Sequence, residues 1–229
     1  MKLLTNPADT SLVQQSRQPA HQSVYEDLRN RILFGDLTPG QAVTIQGLTA
    51  ELGAGMTPVR EAIRRLTAEG ALLPQGNRRV TVPRLLGSDL EQVAFARLTI
   101  EPRLAELATA AVTPELIADL QDLDAQVDAA IAAGDVQAYL QSNHAFHFAL
   151  YEAAGAGVLL DMARSLWLRF GPSLRVVTRE AGASSLPDAH KEALAALRAG
   201  DAPAVAAAMA RDITQGVDHV RAGLLHGGI

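Results

Sequence analysis

The side chains able to do chemistry fall in two stretches of this 229-residue chain. The first is basic. Thr57, Arg60, Arg64 and Arg65 stand close together in TPVREAIRR, and Asn77, Arg78 and Arg79 follow soon after. Guanidinium forks at this density suit phosphate oxygens and guanine edges. The second stretch carries imidazoles. Asn143 and His147 lie four apart in NHAFH, so a helix would set them on one face. His190 follows Pro187-Asp188 near a helix start, and Asp212 comes 22 residues later. Carboxamide, imidazole and carboxylate groups all ligate borderline divalent cations, and imidazoles also serve in acid–base chemistry.

The basic stretch needs a scaffold, and its neighbours supply one. From Leu48 to Val82 the chain reads as a short helix, a turn at Gly53-Ala54-Gly55, a longer basic helix and two short strands. That order is a winged helix-turn-helix, whose second helix enters the major groove of DNA. Val59, Ile63 and Leu66 form the buried stripe of that helix. Thr57 is placed to cap its first turn, with Pro58 at the first helical position and Gly70 as the left-handed residue at its end. Residues 22–35 read as a preceding helix, 46–52 and 58–69 as the helix pair, and Leu72-Leu73 and Val80-Thr81-Val82 as the wing.

Past a linker beginning at Pro83-Arg84, the chain reads as helix over about 88–111, 114–133, 135–154, 157–180, 187–199 and 201–222. Each segment carries an apolar stripe, which calls for an antiparallel bundle. The expected fold is mainly α: an N-terminal winged helix-turn-helix with a small β wing, then an all-α antiparallel helical bundle. The expected division is a flexible tail over 1–20, a DNA-binding domain over 21–84, and a helical effector-binding and dimerisation domain over 85–229.

Composition narrows the function. Apolar residues make up 48% of the chain, so it has a core to bury. It has no cysteine, which excludes disulfides and thiolate metal sites. Its apolar runs are too short to span a membrane, and its N-terminus has no apolar signal core, so it reads as cytoplasmic. The net charge of −5 argues against DNA only until its distribution is considered. Between His21 and Arg84, eight arginines face six acids. Local charge, not the total, sets phosphate attraction.

TPVREAIRRLTAEGAL resembles the reading head of the GntR family of bacterial transcription regulators, and ILFGDLTPGQAV (Ile32 to Val43) resembles that family's entry into the domain. The resemblance implies an operator-binding homodimer on a palindromic duplex. It implies DNA contacts from Gln46, Met56, Thr57, Arg60, Arg64, Asn77, Arg78 and Arg79. This chain departs from the pattern at several of them. Gly55-Met56 replaces a Ser-Arg or Thr-Arg pair, Gln46 replaces an arginine, and the wing reads Asn-Arg-Arg where Asn-Arg-Gly is usual. Two basic contacts are lost, Arg60 remains, and the wing gains one. Each arginine–guanine contact discriminates by ~1–3 kcal/mol, so the operator should differ from those of relatives.

The second half resembles the ligand-sensing domain of the FadR branch of the same family, through Arg97 and Glu101, Phe146-His147, and HKEALAALRAGD from His190 to Asp201. That resemblance implies a divalent metal held by Asn143, His147, His190 and Asp212. Asn143 stands where an Asp is usual, and Asp212 where a His is usual. Zn²⁺, Ni²⁺, Mn²⁺ and Fe²⁺ all suit such donors. The resemblance also implies an effector, a small carboxylate or sugar acid, clamped by Arg97. The plainer reading of Arg97 is an ion pair with Glu101 one turn away. His144 reads as structural, His219 and His226 as solvated, and Trp167 as packing. A metal-dependent hydrolase or lyase built on the His/Asp cluster is the competing function. No HExxH, nucleophile elbow or supported general base accompanies it.

Overall fold

The computed structural model describes residues 20–76, 79–181 and 189–225. The expected tail over 1–20 lies outside them except for Ala20. So do Asn77, Arg78, Pro187, Asp188 and His226.

The head begins with α1 (Ala20–Leu33), which buries Val24, Leu28, Ile32 and Leu33 as its spacing predicts. A short strand β1 (Ala42–Thr44) leads into α2 (Ile45–Glu51), whose first turn is capped by the Thr44 hydroxyl accepting from the Gly47 N–H. Helix α3 (Met56–Ala68) follows, then β2 (Leu73–Gln75) and β3 (Arg79–Thr81). The three strands form an antiparallel sheet in the order β1-β3-β2, with Val43 opposite Val80 and Pro74 opposite Val80 on the other side. Strand β1 is an addition to the expected wing. A three-residue strand has no periodicity of its own and exists because β3 offers it an edge.

Two expectations about α3 come out differently. Gly70 does end it in the left-handed region, at φ +76°. Thr57, however, is not its cap. Extended backbone at Gly55 starts the helix at Met56, so Thr57 and Pro58 already lie inside the first turn and no side chain caps it. Pro58 is tolerated there because the first turn's N–H groups have no intrahelical acceptor.

The bundle comprises α4 (Gly87–Ala108), a 3₁₀ turn at Thr109–Ala111, α5 (Pro114–Ala133), α6 (Val136–Glu152), α7 (Gly157–Ala181), α8 (His190–Ala199) and α9 (Ala202–Leu225). Thr113 and Asp135 cap α5 and α6 through their side chains, and Gly134 and Gly200 close α5 and α8 in the left-handed region. Helix α6 is buried on most of its circumference because it packs against α4, α5 and α7.

Head and bundle share one apolar core, running from Val24 and Leu28 through Trp167 and Leu168 to Met209. Their join is α1 against α7. A Cβ on Gly171 would lie 2.3 Å from the Leu33 carbonyl oxygen, so only glycine permits this approach. The Ser165 hydroxyl on α7 donates to the Glu69 carbonyl at the end of α3, at 2.9 Å.

Candidate functional site

Helix α3 is two-faced. Val59, Ala62, Ile63 and Leu66 are buried, while Met56, Thr57, Arg60 and Arg64 are exposed. Gln46 on α2 and Arg79 on β3 are exposed as well. The two adjacent arginines divide as helical geometry requires. Arg64 stays outward, held by Glu61 one turn back. Arg65, still exposed, leans towards α1, its guanidinium 3.7 Å from the Tyr25 ring centroid and 3.0 Å from Glu69. His21, at the start of α1, joins Thr57, Arg60 and Arg64 around one open hollow. Nothing in the local sequence marks His21, because α1 reaches α3 only through tertiary packing.

The second cluster lies inside the bundle. His147 and His190 are buried and Asp212 is 12% exposed on its side chain. One donor atom from each of the three lies within 4.8 Å of the others, although they come from α6, α8 and α9. Asn143 is buried one turn before His147, and the two line a small cavity with Asp212 and Arg97.

Hydrogen-bond partners orient His147. The Tyr151 hydroxyl, 2.9 Å from His147 Nδ1, donates its only proton to Glu101 Oε2 at 2.9 Å. It can therefore only accept from His147, which must carry its proton on Nδ1. Nε2 then faces Asp212 Oδ2 at 3.0 Å. Burial depresses the basicity of His147, and Asp212 acts in the opposite direction. Burial pushes Asp212 up, yet His147, His190 and the Ala189 N–H together bring it down to about 2. His190 Nε2 is 3.7 Å from Asp212 Oδ1, while its Nδ1 is 3.5 Å from Asp124 Oδ1 on α5, longer than a formed hydrogen bond.

Buried donor atoms without partners thus converge: Nε2 of both histidines, facing one carboxylate. Two imidazoles and a carboxylate suit a divalent cation, and buried polar nitrogens left without hydrogen bonds are costly. Asn143 adds a carboxamide at the same cavity. The residues present therefore fit the group.

Arg97 is paired with Glu101 one turn away. Its Nε lies 2.6 Å from Glu101 Oε1 in a buried pair, and its guanidinium lies over the rings of Trp167 and Phe170. Glu101 also accepts from the Trp167 indole at 3.0 Å, so Trp167 is a hydrogen-bond donor as well as packing. His144 is structural as expected: its ring stacks on Phe148, and burial first, then Arg29, His147 and Arg164, push it down to about 3. His219 differs from expectation. It is half-buried rather than solvated, because α9 carries it against Val177 on α7.

Residues 20–82 match the bacterial regulatory proteins of the gntR family, and residues 92–215 match the FCD domain. The chain is 32% identical over 182 residues to the HTH-type transcriptional regulator McbR of Escherichia coli, covering 78% of this chain and 82% of that protein.

The chain belongs to the GntR family.

It is likewise 27% identical over 227 residues to the HTH-type transcriptional regulator Mce2R of Mycobacterium tuberculosis, covering 87% and 90% of the two chains. The solved structure of E. coli McbR/YncC superposes with a TM-score of 0.86 at 27% identity, over 91% of this chain and 100% of that one. The fold is the expected one, a winged helix-turn-helix followed by an all-helical domain. This GntR protein is a DNA-binding transcriptional regulator with an FCD effector-binding domain. The hydrolase or lyase alternative falls, because its domains and relatives are those of regulators. Among the described residues, no helix is long and apolar enough to cross a membrane.

Proposed function

We propose that this regulator is a cytoplasmic homodimer of the FadR branch. It binds a palindromic operator through its first domain, residues 21–84, and answers to a small organic acid through its second, residues 85–229. The exposed polar face of α3, backed by its fully buried stripe, is the observation that carries the DNA reading. Arg60 is its main base-reading group. Arg64, Thr57, Met56 and Gln46 flank it, and Arg79 follows the backbone with Asn77 and Arg78 of the wing. The dimer contact falls on α4 and α7. Phe95 and Leu98 on α4, and Val158 and Met162 on α7, are exposed apolar side chains on two helices that pack together. A two-fold pairing of this face would cover it on both copies.

His147, His190 and Asp212, with Asn143, would hold the divalent cation, chosen among Zn²⁺, Ni²⁺, Mn²⁺ and Fe²⁺. When bound, it would neutralise the converging lone pairs and supply a Lewis-acidic centre. Tyr151 and Glu101 orient His147, and Asp124 faces the far side of His190. A carboxylate or sugar-acid effector would meet Arg97 at the rim of this cavity, in place of part of the Arg97–Glu101 pair. Its effect on DNA can be no larger than its difference in affinity for the two head arrangements.

The deciding experiment measures operator affinity across salt concentrations for wild type and Arg60→Ala. The loss of one base-reading arginine should weaken binding by about tenfold or more. Rising salt should weaken both proteins through counterion release. An unchanged affinity for Arg60→Ala would remove α3 as the reading element.

A further inference from the structure

A cleft of about 420 Å³ separates the head from the bundle. Its walls belong to different parts of the fold: Tyr25 and Arg29 on α1, His144 and Phe148 on α6, and Arg164 and Leu168 on α7. Pockets for small organic ligands run to about 300–1,000 Å³. The cavity at Asn143, His147 and Asp212 measures only about 20 Å³, room for one ion or water. Unlike that cavity, the interdomain cleft holds an organic molecule without prior opening.

The charges around the cleft are paired, with one exception. Arg65 is held by Glu69, and Arg164 by Glu152 and Asp161. Half-buried Arg29 contacts only the neutral carboxamide of Asn30 and has no carboxylate partner among the described residues. One uncompensated guanidinium calls for one acid group. Among these polar groups the lining also offers an aromatic and aliphatic wall. The His144 ring stacks on Phe148 at 4.3 Å and 23°, and Tyr25, Leu33 and Leu168 complete the surroundings.

We propose that this cleft is a ligand site for a small aromatic monocarboxylate, its acid group on Arg29 and its ring against the His144–Phe148 stack. Such a ligand touches the DNA head and the bundle at once. Its binding energy therefore acts directly on the angle between them, with no relay through the core. The site stands independently of the metal-centred reading. The two back onto each other across Trp167, whose ring lies 5.3 Å from that of His144 and 5.0 Å from that of His147.

Benzoate is the probe, titrated into the full-length protein by calorimetry and by fluorescence of Trp167, the chain's single tryptophan. Saturable binding is expected at millimolar concentrations or below. Arg29→Gln should weaken it by about tenfold or more, the value of a charge-assisted contact. Arg29→Lys should recover part of the loss, and both variants should melt as wild type does. Benzyl alcohol, which keeps the ring without the charge, should bind wild type more weakly than benzoate does. Protein stripped of metal by a chelator should bind benzoate as before. The proposal is overturned if benzoate does not saturate, if Arg29→Gln and wild type bind it equally, if benzyl alcohol binds as tightly, or if chelation abolishes binding.

Discussion

Tyr151 has one proton and two neighbours that could use it. Because Glu101 accepts that proton, His147 must donate from Nδ1, and its Nε2 is left turned towards Asp212. One phenol thus decides the tautomer of an imidazole on the same helix. Tyr151→Phe removes the acceptor for His147 and a donor to buried Glu101. Losses of this kind around a metal-bound histidine cost about 10–100-fold in affinity. Zn²⁺ or Ni²⁺ binding by calorimetry should weaken accordingly, whereas His190→Ala should abolish it and lower the melting temperature of metal-loaded protein. Wild-type metal affinity in Tyr151→Phe would show that the phenol orients nothing. The spacing of Asn143 and His147, one helical turn, was readable in advance. Asp124 was not, since it meets His190 from a helix remote in sequence.

At the scale of elements, the join between α1 and α7 rests on a single missing side chain. Gly171→Ala would drive a Cβ to within 2.3 Å of the Leu33 carbonyl, where backbone must move. Overpacking of this kind costs about 1–3 kcal/mol. Urea unfolding should show that loss, and operator affinity should change because the head no longer seats on α7. Gly216→Ala on α9 is the matched control. Its Cβ would meet Phe170 at an ordinary 3.9 Å, so helix propensity should make it neutral or stabilising by up to about 1 kcal/mol. Equal effects of the two substitutions would mean that close approach at Gly171 is not what matters. In the sequence these are two unremarkable helical glycines, because the neighbour that distinguishes them is more than a hundred residues away.

The whole molecule presents more apolar surface than the folded chain needs. Phe95 is 74% exposed and Val158 73%. They lie on α4 and α7, two helices packed together, and exposed apolar side chains there are candidates for an interaction face. Phe95→Asp should convert the proposed homodimer to monomer, read by light scattering at micromolar protein. It should also reduce affinity for a full palindrome much more than for a half-site, since α3 is untouched. A Phe95→Asp protein that remains dimeric would move the interface elsewhere.

Local order was legible from the chain alone, for a simple reason. Apolar periodicity, Gly70, Gly134 and Gly200 at helix ends, and Pro114 at a helix start act through neighbours only a few residues away, so the helices of head and bundle could be listed in order. The basic face of α3 and the one-turn pairing of Asn143 with His147 were readable on the same ground. Long-range neighbours were not. That β1 would exist depended on an edge offered by β3, some forty residues later. That Glu101 would take Tyr151 and Trp167 as well as Arg97 depended on α6 and α7 converging on the same carboxylate. The cleft at Arg29 is the extreme case. No residue in it is unusual for its own helix, and it exists only because α1 and α3 pack against α6 and α7 with one guanidinium left unmatched.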